Sequence, residues 1–130
     1  MENERKINWQ DVYGPYTFRT EDLWGLGLPA ETLPIADLVW HFDISFEWKT
    51  ASAQNDMASV NEVLSSPAQH PDAYRQIMSV DIAYPLDVVR DSDRWIILDG
   101  IRRLAQSSIR GLTSVEAHVV DLEYVRKVRK

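Results

Sequence analysis

Two adjacent arginines follow an Asp-Gly step in the run Leu98-Asp99-Gly100-Ile101-Arg102-Arg103-Leu104-Ala105. Upstream, Trp95 to Leu98 reads as a β-strand. Downstream, Ile101, Leu104, Ala105, Ser108 and Ile109 recur at helical spacing, so the pair stands where a strand turns into a helix. The first N–H groups of a helix have no intrahelical acceptor and carry the positive end of its dipole, which makes such a turn an anion site. Two arginines there are misplaced for an isolated helix by about 0.3–1 kcal/mol each, and an anion between them reverses that sign. Gly100 lets a ligand approach the backbone, and paired guanidinium forks suit phosphate oxygens. Asp99 suits a helix cap, a sugar hydroxyl or a metal ion. Asp-Gly is also a common turn and surface arginines are common, so the motif gains weight only from the agreement of strand, glycine, arginine pair and apolar helix.

Other candidates are scattered. His41, His70 and His118 show no i, i+4 pairing, so no metal site is expected from them. His118 alternates with Ala117 and Val119 and reads as a solvent-facing strand residue. His70 precedes Pro71, which opens a helix carrying Arg75; the functional reading of His70 is an acid–base group, and Arg75 reads as either an exposed salt bridge or a third phosphate contact. Asp81, Asp87, Asp91 and Asp93 cluster around a hairpin and read mostly as a solvated loop. If Mg²⁺ accompanies a nucleotide, Asp99 or Asp81 is the carboxylate expected to share it.

The elements that must position these residues follow from periodicity. Residues 1–32 hold aromatic, glycine and proline steps without a period, such as Tyr13-Gly14-Pro15-Tyr16 and Trp24-Gly25, and read as an irregular arm packed on the domain. Ile35, Leu38, Val39 and Phe42 after Pro34 predict a short amphipathic helix, with a strand through Leu38, Trp40, Phe42 and Ile44 as the alternative. Residues 49–56 are a polar loop, and Ser59 caps a brief helix through Leu64 that stops near Pro67. The Pro71 helix shares Tyr74, Ile77 and Met78 on one face and ends before Pro85. Leu86–Val89 and Trp95–Leu98 form a hairpin; the helix after it ends at Gly111, and Ser114–Val120 is a last strand burying Val115, Ala117 and Val119. An α+β domain at residues 33–122, a small mixed sheet flanked by short helices, is expected, followed by a basic tail at 123–130.

The chain has 130 residues, 45% hydrophobic and 26% charged, with five Trp, which is the profile of one ordinary globular domain. Tryptophans at 9, 24, 40 and 48 are expected in the core or in a partner groove. The formal charge is −6, unevenly spread: residues 1–65 hold eleven acids and four bases, residues 66–130 nine and ten. An acidic body disfavours a nonspecific grip on nucleic acid, and the basic tail has no interleaved aromatic on which bases could stack. The absence of cysteine excludes disulfides and thiol chemistry within these residues. No apolar run approaches the roughly 18 residues of a membrane span, and the opening Met-Glu-Asn-Glu-Arg-Lys lacks the apolar segment of a secretory signal; a cytoplasmic location is expected.

Pro85-Leu86-Asp87-Val88-Val89 followed by Asp99-Gly100-Ile101-Arg102-Arg103-Leu104-Ala105 resembles the two signatures of the ParB/sulfiredoxin superfamily, over roughly residues 33–120. In that group the second signature reads Gly-Glu-Arg-Arg-x-Arg-Ala in partition proteins, Gly-Cys-His-Arg-Tyr in sulfiredoxin and Asp-Gly-His-His-Arg-Tyr in small-molecule kinases. The resemblance implies a stand-alone ParB-like fold with a nucleotide-phosphate site, with Gly100, Arg102 and Arg103 at the phosphate-contacting positions. Ile101 stands where sulfiredoxin has its catalytic cysteine, so sulfinic acid reduction is not implied. Arg102 replaces the kinase histidine, Ala105 and Gln106 depart from the partition pattern, and the downstream helix-turn-helix domain of partition proteins is not expected within these 130 residues. The expected function is binding of a nucleotide or other small phosphate at Asp99-Gly100-Ile101-Arg102-Arg103, with weak phosphohydrolase or phosphotransferase activity conceivable, although no nucleophile or base stands out. The alternatives are a non-enzymatic interaction or oligomerisation module docking through its aromatic N-terminal half, and a DNA-binding or nuclease role, which the charge opposes.

Overall fold

The computed structural model describes residues 7–8, 23, 26–52 and 54–127. These form a small α+β domain with two sheets. The chain runs through β1 (Ile7–Asn8), β2 (Ala30–Pro34), β3 (Ile44–Trp48), β4 (Asp56–Ala58), α1 (Val60–Ser65), α2 (Pro71–Met78), β5 (Leu86–Asp91), β6 (Arg94–Asp99), α3 (Ile101–Ile109), β7 (Ser114–Val120) and α4 (Leu122–Lys127). The larger sheet is mixed, in the order β2-β7-β5-β6, with β5 parallel to β7 and the other pairs antiparallel; the smaller has the order β1-β3-β4. Among the described residues no helix is long and apolar enough to cross a membrane.

Several expectations hold because they rest on local chemistry. Ser59 and Glu62 close a capping box at α1, with Ser59 Oγ accepting from the Glu62 N–H at 3.1 Å and Glu62 Oε1 from the Ser59 N–H at 2.8 Å. The hairpin is present, its strands reaching inward to a two-residue turn at Ser92-Asp93. Gly111 follows α3 with φ 81°, a conformation that suits glycine past a helix end.

Others are revised by tertiary contacts. The helix expected after Pro34 is two 3₁₀ turns, Ile35–Asp37 and Val39–Asp43, and residues 44–48 continue as β3. The reason is His41. Its Nδ1–H donates to the Leu38 carbonyl at 2.8 Å, and its Nε2 accepts from the Ile97 N–H at 3.0 Å, pinning the turn to the edge strand β6. Residues 30–32, read as part of the arm, pair with β7, and Thr32 donates to Glu116 at 2.6 Å across that pairing. Asp56, read as loop, begins β4. On α2 the buried face is Ala73 and Ile77, while Met78 is exposed; on α3 it is Leu104 to Ser107, while Ile109 is exposed. In β7, Ala117 and Val120 are buried and Val115 and Val119 only half so. Residues 122–127, most of them expected in the tail, are α4, and Val125 is fully buried.

Two apolar clusters cover opposite faces of the central strand β5. Leu86 and Val88 join Ile97, Leu104, Ala105 and Ala117 in the main core under α2 and α3, whereas Val89 joins Ile96, Leu98, Val120, Leu23, Ile44 and Val125. A strand buried on both faces reads as a continuous apolar run, which is what Leu86-x-Val88-Val89 shows. The described tryptophans are structural: Trp48 Nε1 donates to the Ala58 carbonyl at 2.9 Å, Arg94 stacks over Trp40 at 4.2 Å and Arg90 over Trp95 at 4.9 Å. Trp9, Trp24, the Tyr13–Tyr16 run and residues 128–130 lie outside the described residues.

Candidate functional site

One residue in the apolar run of β5 is charged. Asp87 is only 6% exposed, and the sheet gives it polar neighbours on both sides. Across the parallel pairing with β7 its partner is His118, whose Nδ1 lies 3.3 Å from Asp87 Oδ1. Across the antiparallel pairing with β6 its partner is Asp99. The second contact depends on an irregularity: Val88 pairs with Ile97 but Asp87 with Asp99, so Leu98 is an extra residue in β6. Strict alternation would put Asp99 on the face of Ile97, against the main core. The bulge turns it back to the face of Asp87, a common use of bulges beside functional sites. His118, Asp87 and Asp99 therefore form one transverse row across three adjacent strands.

Burial pushes the Asp87 carboxyl above its ordinary range, the neighbouring Asp99 charge adds to that, and the contact with His118 opposes it. This corrects the reading of Asp87 as a loop acid and of His118 as a solvent-facing residue. The signal available in the sequence was a carboxylate interrupting a buried strand, in Leu86-Asp87-Val88-Val89.

The strand-to-helix turn continues the row. Gly100 is the N-cap of α3 with φ 117°, and no side chain caps the helix. A Cβ at Gly100 would lie 2.6 Å from Leu86 Cδ2 and 3.3 Å from Arg103 Nη2, so the glycine makes room for Leu86 and Arg103. Arg103 reaches back, its Nη1 donating to the Pro85 carbonyl at 2.6 Å and its Nη2 to Asp99 Oδ2 at 3.3 Å. Those contacts neutralise one of the two misplaced first-turn charges. Ile101 packs against the main core. Arg102 is exposed, and among the described residues it has no ion-pair partner.

These groups open onto a cavity of about 730 Å³. Asp81, Asp87, Asp99, Arg102, Arg103 and His118 supply its polar lining. Leu23, Leu28, Val80, Tyr84 and Pro85 supply its apolar lining, so the segments before β2 and after α2 wall a pocket on the Val89 face of the sheet. Asp81 Oδ1 also accepts from the Ala83 N–H at 2.9 Å and shapes the loop that carries Tyr84. The volume and mixed lining are those of a small-molecule pocket.

Asp99, Arg102 and Arg103 are thus gathered at the cavity, with Gly100 and Ile101 behind them, but Arg75 and His70 do not line it. Arg75 pairs with Asp72 at 2.8 Å with its side chain 69% exposed; the Ala51 N–H and then Arg75 hold the Asp72 carboxyl below its usual range. His70 lies at the start of α2 with Nδ1 2.6 Å from Asp56 Oδ2 on β4, beside a separate shallow depression that Ser66 and Gln69 also line. Gln106 proves to be a buried clamp, its Nε2 donating to the Ile77 and Val80 carbonyls at 2.9 and 3.0 Å, which fixes the loop after α2 against α3. No family model, curated protein or solved structure matches the chain.

Proposed function

We propose that the cavity binds a nucleotide or other small phosphate-bearing ligand, with the phosphate at Arg102 beside the first turn of α3. The observation that carries this reading is Arg102, a cation on the cavity wall with no ion pair among the described residues, at the start of a helix that no side chain caps. A phosphate there supplies the negative charge that this helix end lacks. Arg103, held by Pro85 and Asp99, stiffens the turn. The ParB/sulfiredoxin-like architecture belongs to the same proposal, since it puts Gly100, Arg102 and Arg103 at phosphate-contacting positions. Where Mg²⁺ arrives with a nucleotide, Asp81 and Asp99 are the carboxylates on the cavity wall that can share it. His118, with Nδ1 on Asp87, is the group placed to move a proton there if the bound ester turns over.

The test is calorimetric titration of the full chain with inorganic phosphate, ATP, CTP and GTP, with and without Mg²⁺, and assay of released phosphate in the same samples. Binding by wild type and its loss in Arg102→Ala is the expected result. No binding of any of them, or unchanged binding by the double variant Arg102→Ala and Arg103→Ala, overturns the proposal.

A second reading, a protein-interaction module, draws on the exposure of Tyr84, Ile109 and Leu112, at 66%, 44% and 47%. Light scattering of wild type against Tyr84→Ser and Leu112→Ser tests whether those side chains join copies of the chain.

A further inference from the structure

We infer that the cavity selects a phosphate monoester of a hydroxylated molecule, such as a nucleoside or sugar monophosphate, over the corresponding triphosphate, with the His118-Asp87-Asp99 row holding its hydroxyls. This rests on the phosphate reading above and narrows it. Three observations converge on it.

The first is charge. The cavity lining carries three carboxylates, Asp81, Asp87 and Asp99, against two guanidinium groups. Arg103 is already committed to the Pro85 carbonyl and to Asp99, so among the described lining residues Arg102 is the cation left to meet an incoming anion. Polyphosphate sites gather several cations and N–H donors around successive phosphates. Here the Asp99–Arg103 pair offsets itself, which leaves Asp81 and Asp87 against Arg102 among the described lining residues, so phosphates beyond the first meet more negative than positive charge.

The second is hydrogen-bonding capacity. Ionised carboxylates are pure acceptors. Asp87 is almost fully buried, with His118 as its hydrogen-bonding side-chain neighbour. With His118 Nδ1 directed at Asp87, the other ring nitrogen is left for the cavity. Hydroxyl groups donate to such a row without adding negative charge. The two oxygens of one carboxylate can accept from a pair of adjacent sugar hydroxyls, and with carboxylates on two neighbouring strands the row offers acceptors to more than one such group.

The third is shape. The same cavity has an apolar side, including Leu28, Val80 and Tyr84, against which the body of a ligand whose phosphate is at Arg102 can pack.

The test is a set of calorimetric titrations of the full chain with AMP, CMP, ribose 5-phosphate, inorganic phosphate, ATP and CTP, with and without Mg²⁺. The expected result is that a monophosphate binds at least tenfold more tightly than its triphosphate and than inorganic phosphate. Asp87→Asn and Asp99→Asn are expected to narrow the first ratio by relieving the repulsion of extra phosphates, and His118→Gln to narrow the second. Ribose 5-phosphate binding as tightly as the nucleotides assigns the site to sugar phosphates; weaker binding assigns it to nucleosides. Triphosphate binding as tight as or tighter than monophosphate overturns the selection while leaving the phosphate reading intact. Inorganic phosphate equal to the monoesters overturns the role of the row. Binding of none of the six overturns both.

Discussion

His41, held against the edge of the larger sheet, and the Asp87-His118 pair within that sheet are polar groups satisfied to very different degrees. His41 is fully buried and both ring nitrogens are used, one donating to Leu38 and one accepting from Ile97. Burial, the larger cause, and the nearby Arg94 charge hold its pKa down to about 4 against the Leu38 hydrogen bond, so it is neutral and acts as a strut, capping an N–H on the edge strand. Asp87 and His118 share one longer contact, with a like charge beside them and a cavity in front. A saturated polar group holds a fold together. An unsaturated one beside a cavity is where a ligand gains hydrogen bonds the protein does not make for itself.

The sharpest way to break this comparison is at His41. His41→Leu strands the Ile97 N–H and is expected to destabilise the fold by about 3 kcal/mol in urea unfolding, with phosphate affinity unchanged under conditions where the variant is folded. The same histidine sets an acid limit. Its folded pKa lies below the unfolded value of 6.5, so the unfolded chain binds more protons between those values, and stability is full above pH 6.5 and lost as pH falls through about 4. The loss is about 3 kcal/mol from this residue, and the slope in that window should disappear in the His41→Leu variant. Stability of wild type that is flat between pH 7 and 4 would show that His41 is not the strut described.

Gly100→Ala comes next. It combines φ 117° with a Cβ crowding Leu86, a fully packed side chain, and is expected to cost about 2 kcal/mol in the same assay. Ser59→Ala, which opens the capping box of α1, is expected to cost about 1 kcal/mol without touching the cavity. The smallest effect has the opposite sign. Asp87 has its carboxyl pKa raised in the fold, so its ionised form is a burden that grows as pH rises through that value, and Asp87→Asn is expected to stabilise by about 0.5–1 kcal/mol at pH 7 while weakening discrimination among ligands. A destabilised Asp87→Asn would make Asp87 a second strut and erase the contrast with His41.

The parts of the fold legible in the chain are those written in neighbouring residues. Ser59 with Glu62, the hairpin around Ser92-Asp93, the Asp99-Gly100 break and the Gly111 stop all act within a few residues. The turn around Leu38 to Phe42 is not legible because its apolar spacing fits a helix equally well, and the choice of 3₁₀ turns is made by Ile97, a partner 56 residues away. At the site, Asp99, Arg102 and Arg103 were visible as a turn with misplaced charge. Arg75 and His70 do not join them: Arg75 makes the exposed salt bridge that is the other reading of it, with Asp72, and His70 pairs with Asp56.

What the sequence by itself determined is a strand, a glycine turn and a helix with two arginines in its first turn, together with an acidic body free of thiols. Tertiary structure decided which arginine is available and what stands beside it. The alternation of a strand is a local property, but the partner of each residue is set by pairing between distant segments. His118 meets Asp87 across 31 residues of chain, and one extra residue in β6 brings Asp99 to the same face. Neither the register nor the bulge leaves a mark in the order of residues that local chemistry could read.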